Sequence, residues 1–202
     1  TIARNTANRL AKYNGLVANT LYPPPKLAHR LVPGDAQDYI LSVGRLETVK
    51  RVDLAIRALA TVPPPLRLVI VGDGTQGENL RRLVEEQGIG DRVTFAGAVD
   101  DDTLLALYAG AIGVVFAPYD EDYGYVTLEA FLAHKPVITA RDSGGTLEFV
   151  VDGTNGCVCD PEPESLAAAF VRLSEDRRRA GAMGDAGYER ARLVTWTGVV
   201  EQ

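Results

Sequence analysis

The sequence predicts an α/β domain: a doubly wound, Rossmann-like parallel sheet of about six strands with helices on both faces. Three observations support this prediction. Six short apolar runs recur from Tyr39 onward, each run is bounded by glycine or proline, and each is followed by a helical pattern. Such runs are typical of strands buried on both faces of a parallel sheet. Right-handed crossovers between the strands then give the doubly wound arrangement.

The predicted elements alternate along the chain. The strand segments are, in order, YILSVG, LRLVIVG, RVTFAG, GVVFAP, PVITA and GCVCD. The helical segments that follow them are DLAIRALATV, GENLRRLVEEQG, DTLLALYAGA, VTLEAFLAH, a short helix near GTLEFVV, and PESLAAAFVRLSED, after which we expect a tail. Ligands of such sheets bind outside the carboxyl ends of the strands, so the strand-to-helix loops are the place to look for function.

The first 38 residues differ from the rest of the chain. TIARNTANRLAKY has helical spacing that ends at Asn14 and Gly15, and the prolines at 23–25 and the Pro33 and Gly34 pair are typical of a connector. We therefore divide the chain into an N-terminal helix with a Pro-rich connector, residues 1–38, and the α/β domain, residues 39–202. Because the chain starts at Thr1 and its one methionine is Met183, we expect it to be a piece of a longer protein.

Composition excludes several classes of function. The formal net charge of −6 and the lack of a basic stripe argue against a nucleic-acid-binding protein. The sequence has no run of eighteen apolar residues and no signal peptide. Cys157 and Cys159 have no histidine or cysteine partners that would complete a metal set, so we interpret them as reduced, small apolar residues of a cytosolic protein.

The first strand-to-helix loop, VGRLETVKRVD, combines a glycine with cations. Gly44 allows a sharp turn, and Arg45 and Lys50 follow it. Arginine binds phosphate through a fork of donors and lysine binds it as a point charge, so this loop is suited to a diphosphate. The alternative is that both cations are ordinary surface charges.

The second loop, VGDGTQGENL, matches G-x-G-x-x-G at Gly72, Gly74 and Gly77 and lies between a strand and a helix. That context is the one a dinucleotide-binding motif requires, so an NAD(P)-binding oxidoreductase domain is an alternative function. Two features argue against it: the motif lies in the second strand–helix unit, and no acidic residue ends the strand about twenty positions later. A plain tight turn is the remaining interpretation.

The fourth loop, EDYGYVTLEA, places glutamates on either side of a predicted helix start. If the helix begins near Tyr125, Gly124 and the next residues offer free N–H groups to an anion. Glu121 precedes the helix and Glu129 lies within it, and carboxylates are suited to hydroxyl groups. This pattern predicts a ligand with hydroxyls at both ends and phosphates between them, the outline of a nucleotide sugar.

Two further loops predict weaker features. We interpret Asp100, Asp101 and Asp102 as helix-capping residues, because three consecutive side chains point in different directions and no histidine lies near them to complete a metal site. In ARDSGGTLEFV, paired glycines precede Glu148, and a turn with a cap and a direct ligand contact both remain open.

The blocks GRLETVKRVD, VGDG, RVTFAG, EDYGYVTLEA, KPVITA and SGGTLEFVVDGTNG resemble, in order and spacing, the C-terminal domain of family 4 retaining glycosyltransferases (glycosyl transferases group 1). The resemblance covers about residues 39–160. It implies one half of a GT-B fold, whose reaction takes place in the cleft between two such domains. A binding module without activity is a third hypothesis, although the candidate charged residues are all present.

The resemblance implies a role for each candidate residue. Arg45, Lys50 and Glu121 would be the catalytic set, with the two cations on the donor diphosphate and Glu121 on the transferred sugar. The donor-binding set would be Gly44, Gly72, Ala98, Val99, Tyr123, Gly124, Tyr125, Val126, Thr127 and Glu129. Within that set Glu129 would bind the ribose, the backbone at Ala98 and Val99 the base, and the stretch from Tyr123 to Thr127 the phosphates. No metal or other cofactor is expected, because these residues supply the positive charge.

The resemblance also implies partners. We expect a nucleotide-sugar donor, the N-terminal GT-B domain of the same parent chain, and a glycan, lipid-linked or small-molecule acceptor, but no nucleic acid. A cytoplasmic location is implied, with peripheral attachment at the inner membrane face as an option for the full-length protein. The sequence departs from the family at Tyr123, where phenylalanine is common, at Tyr125, where an aliphatic residue is common, and at His134, where glycine is usual.

Overall fold

Six strands form one parallel sheet in the computed structural model, which describes residues 1–200. The strands are β1 (Tyr39–Val43), β2 (Arg67–Val71), β3 (Val93–Gly97), β4 (Gly113–Val115), β5 (Val137–Ala140) and β6 (Gly156–Cys159). Their order is β3-β2-β1-β4-β5-β6, and every neighbouring pair is parallel. The strand order reverses between β1 and β4, which is where such sheets open a ligand crevice at their carboxyl ends.

A helix follows each of β1, β2, β3, β4 and β6 as predicted, whereas a short 3₁₀ turn follows β5. The helices of the chain are α1 (Arg4–Asn14), α2 (Val52–Thr61), α3 (Gly77–Glu86), α4 (Asp101–Gly110), α5 (Tyr125–Leu132), α6 (Pro163–Glu175), α7 (Arg177–Ala191) and α8 (Trp196–Val200). Short 3₁₀ turns occupy Thr48–Lys50, Gly90–Arg92 and Gly145–Glu148. The predicted fold class, a doubly wound α/β sheet with six strands, is confirmed.

Both faces of the sheet are buried, as the unbroken apolar runs predicted. Ile40 and Leu41 are neighbours on β1, and both are completely buried, but in different core clusters. Successive strand side chains point to opposite faces, so this pair shows that apolar layers cover the sheet on both sides. One layer contains residues of α2, α3 and α6, and the other contains residues of α4 and α5. Each fully buried side chain of this size contributes roughly 1.5–3 kcal/mol.

The N-terminal segment packs on the carboxyl edge of the sheet. Helix α1 ends at Asn14, where the sequence predicted a break, and Gly15 takes a left-handed conformation there. At its other end, the N–H groups of Arg4 and Asn5 donate to the Glu148 carboxylate at 2.9 and 2.7 Å. Glu148 therefore caps α1.

The stretch after α6 is a helix and not the tail that the sequence suggested. Helix α7 approaches the end of α5 closely because it presents glycines there. A Cβ atom at Gly184 would lie 2.0 Å from the His134 carbonyl oxygen, and one at Gly187 would lie 2.3 Å from Phe131 Cδ1. Helix α7 thus packs directly against the helix that carries Glu129.

The remaining bulk features agree with the sequence. Cys157 and Cys159 are free and buried in β6, and burial raises the pKa of both thiols, so they serve as small apolar residues. Within residues 1–200 no helix combines the length and the apolar character that a membrane crossing requires.

Two glycines of α7 provide a stability test of the α5–α7 contact. Gly184→Ala should destabilise the fold by about 1–3 kcal/mol, because the new methyl group meets a backbone carbonyl that cannot move cheaply. Gly181→Ala lies in the same helix with open space around it, and it should stabilise the fold by about 1 kcal/mol through helix propensity. Urea unfolding measures both variants, and equal changes in the two would contradict the close packing.

Candidate functional site

The candidate site lies at the carboxyl ends of β1 and β4. Gly44 follows β1 directly, and its loop continues to Lys50. The loop after β4 carries Glu121 and reaches Gly124, where α5 begins. The two loops come from the strands at which the sheet order reverses, so their side chains face a common crevice.

Lys50 and Glu121 form an ion pair across this crevice. The Lys50 Nζ atom contacts the Glu121 Oε2 atom, and the two side chains are only 18% and 19% exposed. Lys50 Nζ also lies 5.5 Å from the ring centroid of Phe116. A pair this far removed from water is not an ordinary surface salt bridge, because both groups lose hydration and each depends on the other.

Arg45 and Arg51 have different environments although both belong to the same loop. Arg45 is exposed, and no ion pair among residues 1–200 includes it, so its guanidinium is available to a ligand. The Arg51 guanidinium is instead used internally. It donates to both Asp142 carboxylate oxygens at 2.8 and 2.6 Å, and to the carbonyl oxygens of Ala117 and Pro118 at 2.9 and 2.8 Å.

Helix α5 begins at Tyr125, as predicted from the sequence. Gly124 precedes it with a φ of 79°, a left-handed conformation that favours glycine. Thr127 N donates to Gly124 O at 2.9 Å, whereas no acceptor among residues 1–200 pairs with the N–H groups of Tyr125 and Val126. Free N–H groups at the positive end of a helix dipole form an anion-binding site.

The two tyrosines that flank Gly124 have unequal access to the crevice. Tyr123 is 2% exposed, its hydroxyl donates to the Pro23 carbonyl at 2.8 Å, and its ring packs against Tyr22 and Phe149. Burial raises its pKa. Tyr125 is 40% exposed, with its ring edge-on to Tyr123. A ligand can therefore meet the side chain of Tyr125, but it can meet Tyr123 only through the backbone.

Two buried hydroxyl groups lie beside Gly124. Thr127 Oγ1 and Thr146 Oγ1 are buried and have no hydrogen-bond partner in the part of the chain that the structure describes. A Cβ atom at Gly124 would lie 3.5 and 2.8 Å from them, respectively. Thr127 was a sequence candidate, whereas Thr146 was missed because its loop offered only paired glycines as a signal.

Glu129 lies one turn into α5 and accepts a hydrogen bond at 2.8 Å from the hydroxyl of Tyr108. Burial raises the pKa of Glu129, and the hydrogen bond from Tyr108 acts against that rise. Glu129 lines an open cavity of about 600 Å³ together with Pro24, Lys26, Tyr125 and Trp196. A partly buried carboxylate that faces a cavity is suited to binding hydroxyl groups.

The predicted base-binding residues, Ala98 and Val99, lie after β3. Ala98 is exposed, but its N–H donates to Asp73 Oδ2 at 3.1 Å, so its carbonyl is the group left to meet a base. Val99 is partly buried against the core layer that contains α4 and α5. The next residue, Asp100, accepts from Thr103 N at 2.8 Å and caps α4, as predicted.

The glycine motif of the second loop packs against the first loop. A Cβ atom at Gly72 would lie 2.1 Å from the Gly44 carbonyl oxygen, and one at Gly74 would lie 2.5 Å from the Leu46 carbonyl oxygen. Leu46 N donates to Asp73 O at 2.9 Å, which fastens the two loops together. Backbone of the first loop lies directly against Gly72 and Gly74 and leaves no space for a side chain, so packing alone accounts for these two glycines of the motif.

A substitution at Glu129 tests whether its partly buried charge destabilises the fold. Glu129→Gln keeps an acceptor for Tyr108 and removes a buried charge, so we expect the melting temperature at pH 7 to rise by about 2–4 °C. Burial raises the pKa of Glu129 in the folded state, so the charged carboxylate destabilises the fold at pH values above that pKa. This destabilisation disappears as the pH falls toward the unfolded-state pKa of about 4.3. The gain should therefore shrink as the pH falls.

Exposed Glu164 at the start of α6 is the matched control. Glu164→Gln should change the free energy of unfolding by less than about 0.5 kcal/mol at any pH. A loss of stability in Glu129→Gln at pH 7 would show that the carboxylate is not strained by burial.

Comparison with known proteins identifies the family. The model of the family described as glycosyl transferases group 1 matches residues 27–190. A D-inositol 3-phosphate glycosyltransferase of Acidothermus cellulolyticus is 36% identical over 154 residues, 70% of this chain and 34% of that protein. The alpha-1,3/1,6-mannosyltransferase ALG2 of Mus musculus is 31% identical over 182 residues, 82% of this chain and 44% of that protein.

Solved structures share the fold. The HepE protein of Anabaena in complex with UDP and glucose is 28% identical, with a TM-score of 0.76 over 82% of this chain and 47% of that one. The sucrose-phosphate synthase of Thermosynechococcus elongatus is 25% identical, with a TM-score of 0.89 over 100% of this chain and 55% of that one.

The curated relatives are all longer, and the chain spans 34% and 44% of the two described above. The oxidoreductase alternative gains no support from these relatives, and the packing of Gly72 removes its structural basis. The chain belongs to the glycosyl transferases group 1 family, as the C-terminal, Rossmann-like half of a GT-B glycosyltransferase.

Proposed function

We propose that the chain is the donor-binding domain of a retaining, family 4 glycosyltransferase that uses a nucleotide-diphosphate sugar and no metal. The observation that carries the proposal is the partly buried Lys50–Glu121 ion pair next to the helix start at Gly124. It brings a cation, a carboxylate and free N–H groups together at the point where the sheet order reverses.

The positive groups suit a diphosphate. The N–H groups of Tyr125 and Val126 are unpaired among residues 1–200. Lys50 lies across the crevice from them, and exposed Arg45 belongs to the same loop as Lys50. Donors that are fixed before the reaction stabilise the charge that develops on a leaving nucleotide. In this proposal they do so without a metal, and the carboxylates stay away from the phosphates.

The acidic groups suit the two ends of the donor. Glu121 accepts hydroxyls of the transferred sugar once Lys50 turns from it to the diphosphate. Glu129 lies four residues after Tyr125 in the same helix, which places it about 6 Å further along the axis. That rise separates a phosphate site at the helix start from a ribose site one turn later.

The relatives support a nucleotide sugar as the ligand class. The HepE structure contains UDP and glucose, and the curated relatives are glycosyltransferases by name. Since the chain spans less than half of those curated proteins, we assign the acceptor site to the N-terminal domain of the parent protein. The acceptor is a glycan, a lipid-linked sugar or a small molecule.

A calorimetric titration tests the ligand class. We expect the 202-residue chain to bind at least one of a panel of UDP-, GDP- and ADP-sugars, and to bind NAD more weakly than that donor. Heat with NAD alone would overturn the proposal in favour of the oxidoreductase. Without the N-terminal domain the chain should bind the donor but transfer no sugar, so robust transfer by the chain alone would contradict the assignment of the acceptor site.

Glu121→Gln tests the role of the ion pair. In the wild-type chain a bare nucleoside diphosphate takes Lys50 and leaves the Glu121 carboxylate without a partner, whereas a nucleotide sugar supplies hydroxyls to it. We therefore expect the wild-type chain to prefer the sugar-bearing ligand by about tenfold, about 1.4 kcal/mol. The variant should bind both ligands about equally, because the neutral amide carries no charge that is left unpaired when Lys50 binds the diphosphate.

Glu164→Gln serves again as the control and should keep the wild-type preference. A Glu121→Gln variant that still prefers the nucleotide sugar tenfold would remove Glu121 from sugar recognition. Far-ultraviolet circular dichroism and a melting curve establish that each variant is folded before its affinity is compared.

A further inference from the structure

Tyr108 is a fully buried tyrosine whose hydroxyl is aimed at the candidate ribose site. It lies on α4 and is 0% exposed, and its hydroxyl donates to Glu129 Oε2 at 2.8 Å. Among residues 1–200 this is the one hydrogen bond or ion pair that Glu129 makes with another side chain. This hydrogen bond links α4 to α5 at a residue that lines the cavity.

The position of Tyr108 is fixed by its own helix. Tyr39 on β1 donates its hydroxyl to the Leu107 carbonyl at 2.8 Å, and the side chain of Asp100 caps the start of α4. A Cβ atom at Gly110 would lie 2.6 Å from the Tyr39 hydroxyl, so α4 sits directly on that side chain. The Tyr108 ring itself is completely buried in the core layer that contains α4 and α5, and this close packing holds it in place.

A carboxylate held on one oxygen presents the other in a defined direction. The other oxygen of Glu129, Oε1, has no hydrogen-bond partner among residues 1–200. Glu129 lines the cavity together with Tyr125 and Trp196. Each carboxylate has about four lone-pair positions, of which Tyr108 uses one. A free glutamate side chain loses rotamer freedom when a ligand binds, and a side chain already held in place loses less.

We propose that Tyr108 is a positioning residue that holds the Glu129 carboxylate ready to accept hydrogen bonds from the ribose hydroxyls, and that it thereby sets the preference for ribonucleotides. The inference rests on the proposed donor site and adds a residue to its specificity. It predicts that the Tyr108 hydroxyl matters only for ligands that carry ribose hydroxyls.

The test compares a ribonucleoside diphosphate with its 2′,3′-dideoxy analogue, with the base chosen from the panel titration. We expect the wild-type chain to bind the ribo form at least tenfold more tightly. Tyr108→Phe keeps the buried ring and removes only the hydroxyl, so the preference should fall to threefold or less. The affinity for the dideoxy analogue should stay the same.

Tyr39→Phe is the matched control, because it keeps the ring on which α4 rests and removes another buried tyrosine hydroxyl bond to the same helix without touching Glu129. The cap of α4 and the complete burial of the Tyr108 ring remain, so Tyr108 should stay in place. It should lower the melting temperature and leave the ribose preference at the wild-type value. An equal loss of preference in Tyr39→Phe would reduce the role of Tyr108 to general stability and overturn the inference.

A second variant covers the case in which Tyr108→Phe folds poorly. Glu129→Gln leaves Tyr108 in place and should lose the ribose preference to the same degree, and adding Tyr108→Phe to it should cause no further loss. Independent, additive losses would overturn the inference, because two residues that act through one contact are not additive.

The outcomes separate the two proposals. A wild-type chain that binds no nucleoside diphosphate overturns the donor site and the role of Tyr108 together. A wild-type chain that prefers the ribo form, combined with a Tyr108→Phe variant that keeps the full preference, leaves the donor site standing and overturns the role of Tyr108 alone.

Discussion

The arrangement of the site depends on the guanidinium of Arg51. Its bonds to Asp142 and to the carbonyl groups of Ala117 and Pro118 tie the loop after β1 to the loops after β4 and β5. The same contact holds the pKa of Asp142 below its usual range. Lys50 comes immediately before Arg51, and Glu121 follows shortly after Pro118, so this clamp determines whether the two side chains can meet. The clamp is partly buried, so removing one partner would leave the other charge unpaired and incompletely hydrated, which would destabilise the fold.

A second theme is that the site keeps polar groups buried that a purely structural domain would avoid. Glu129 retains a carboxylate where burial disfavours its charge, and the hydroxyls of Thr127 and Thr146 are unpaired among residues 1–200. Such groups reduce stability unless a ligand satisfies them. The two threonine hydroxyls lie beside Gly124 and Glu129 lies one turn into α5, which is a physical reason to place the ligand there.

Much of the fold could be predicted because the strands are short apolar runs and the loops carry glycines. The start of α5 was predictable for the same reason, since Gly124 separates a polar loop from an apolar helix. Helix α7 was missed because Ala180, Gly184 and Gly187 give its buried face little apolar character. The G-x-G-x-x-G motif suggested a dinucleotide site because a loop that packs against other backbone requires glycine, just as a loop that binds pyrophosphate does.

Partners of individual side chains were beyond prediction from the sequence. Arg51 was indistinguishable from Lys50 as a loop cation until the structure showed that its donors are used internally. Tyr108 lies in the predicted helix DTLLALYAGA, and a periodic pattern does not reveal where a hydroxyl group points. These roles depend on contacts between residues far apart in the chain, such as the one between Tyr108 and Glu129, and no local pattern encodes them.

The most direct test of the account is to follow backbone amide resonances while a nucleoside diphosphate is titrated into the chain. The account predicts that the amides of Gly124, Tyr125 and Val126 shift together as the diphosphate occupies the start of α5, with further shifts at Ala98 and Val99 if the base reaches its loop. Shifts confined to the Gly72 to Gly77 loop, with the three α5 amides unchanged, would contradict it.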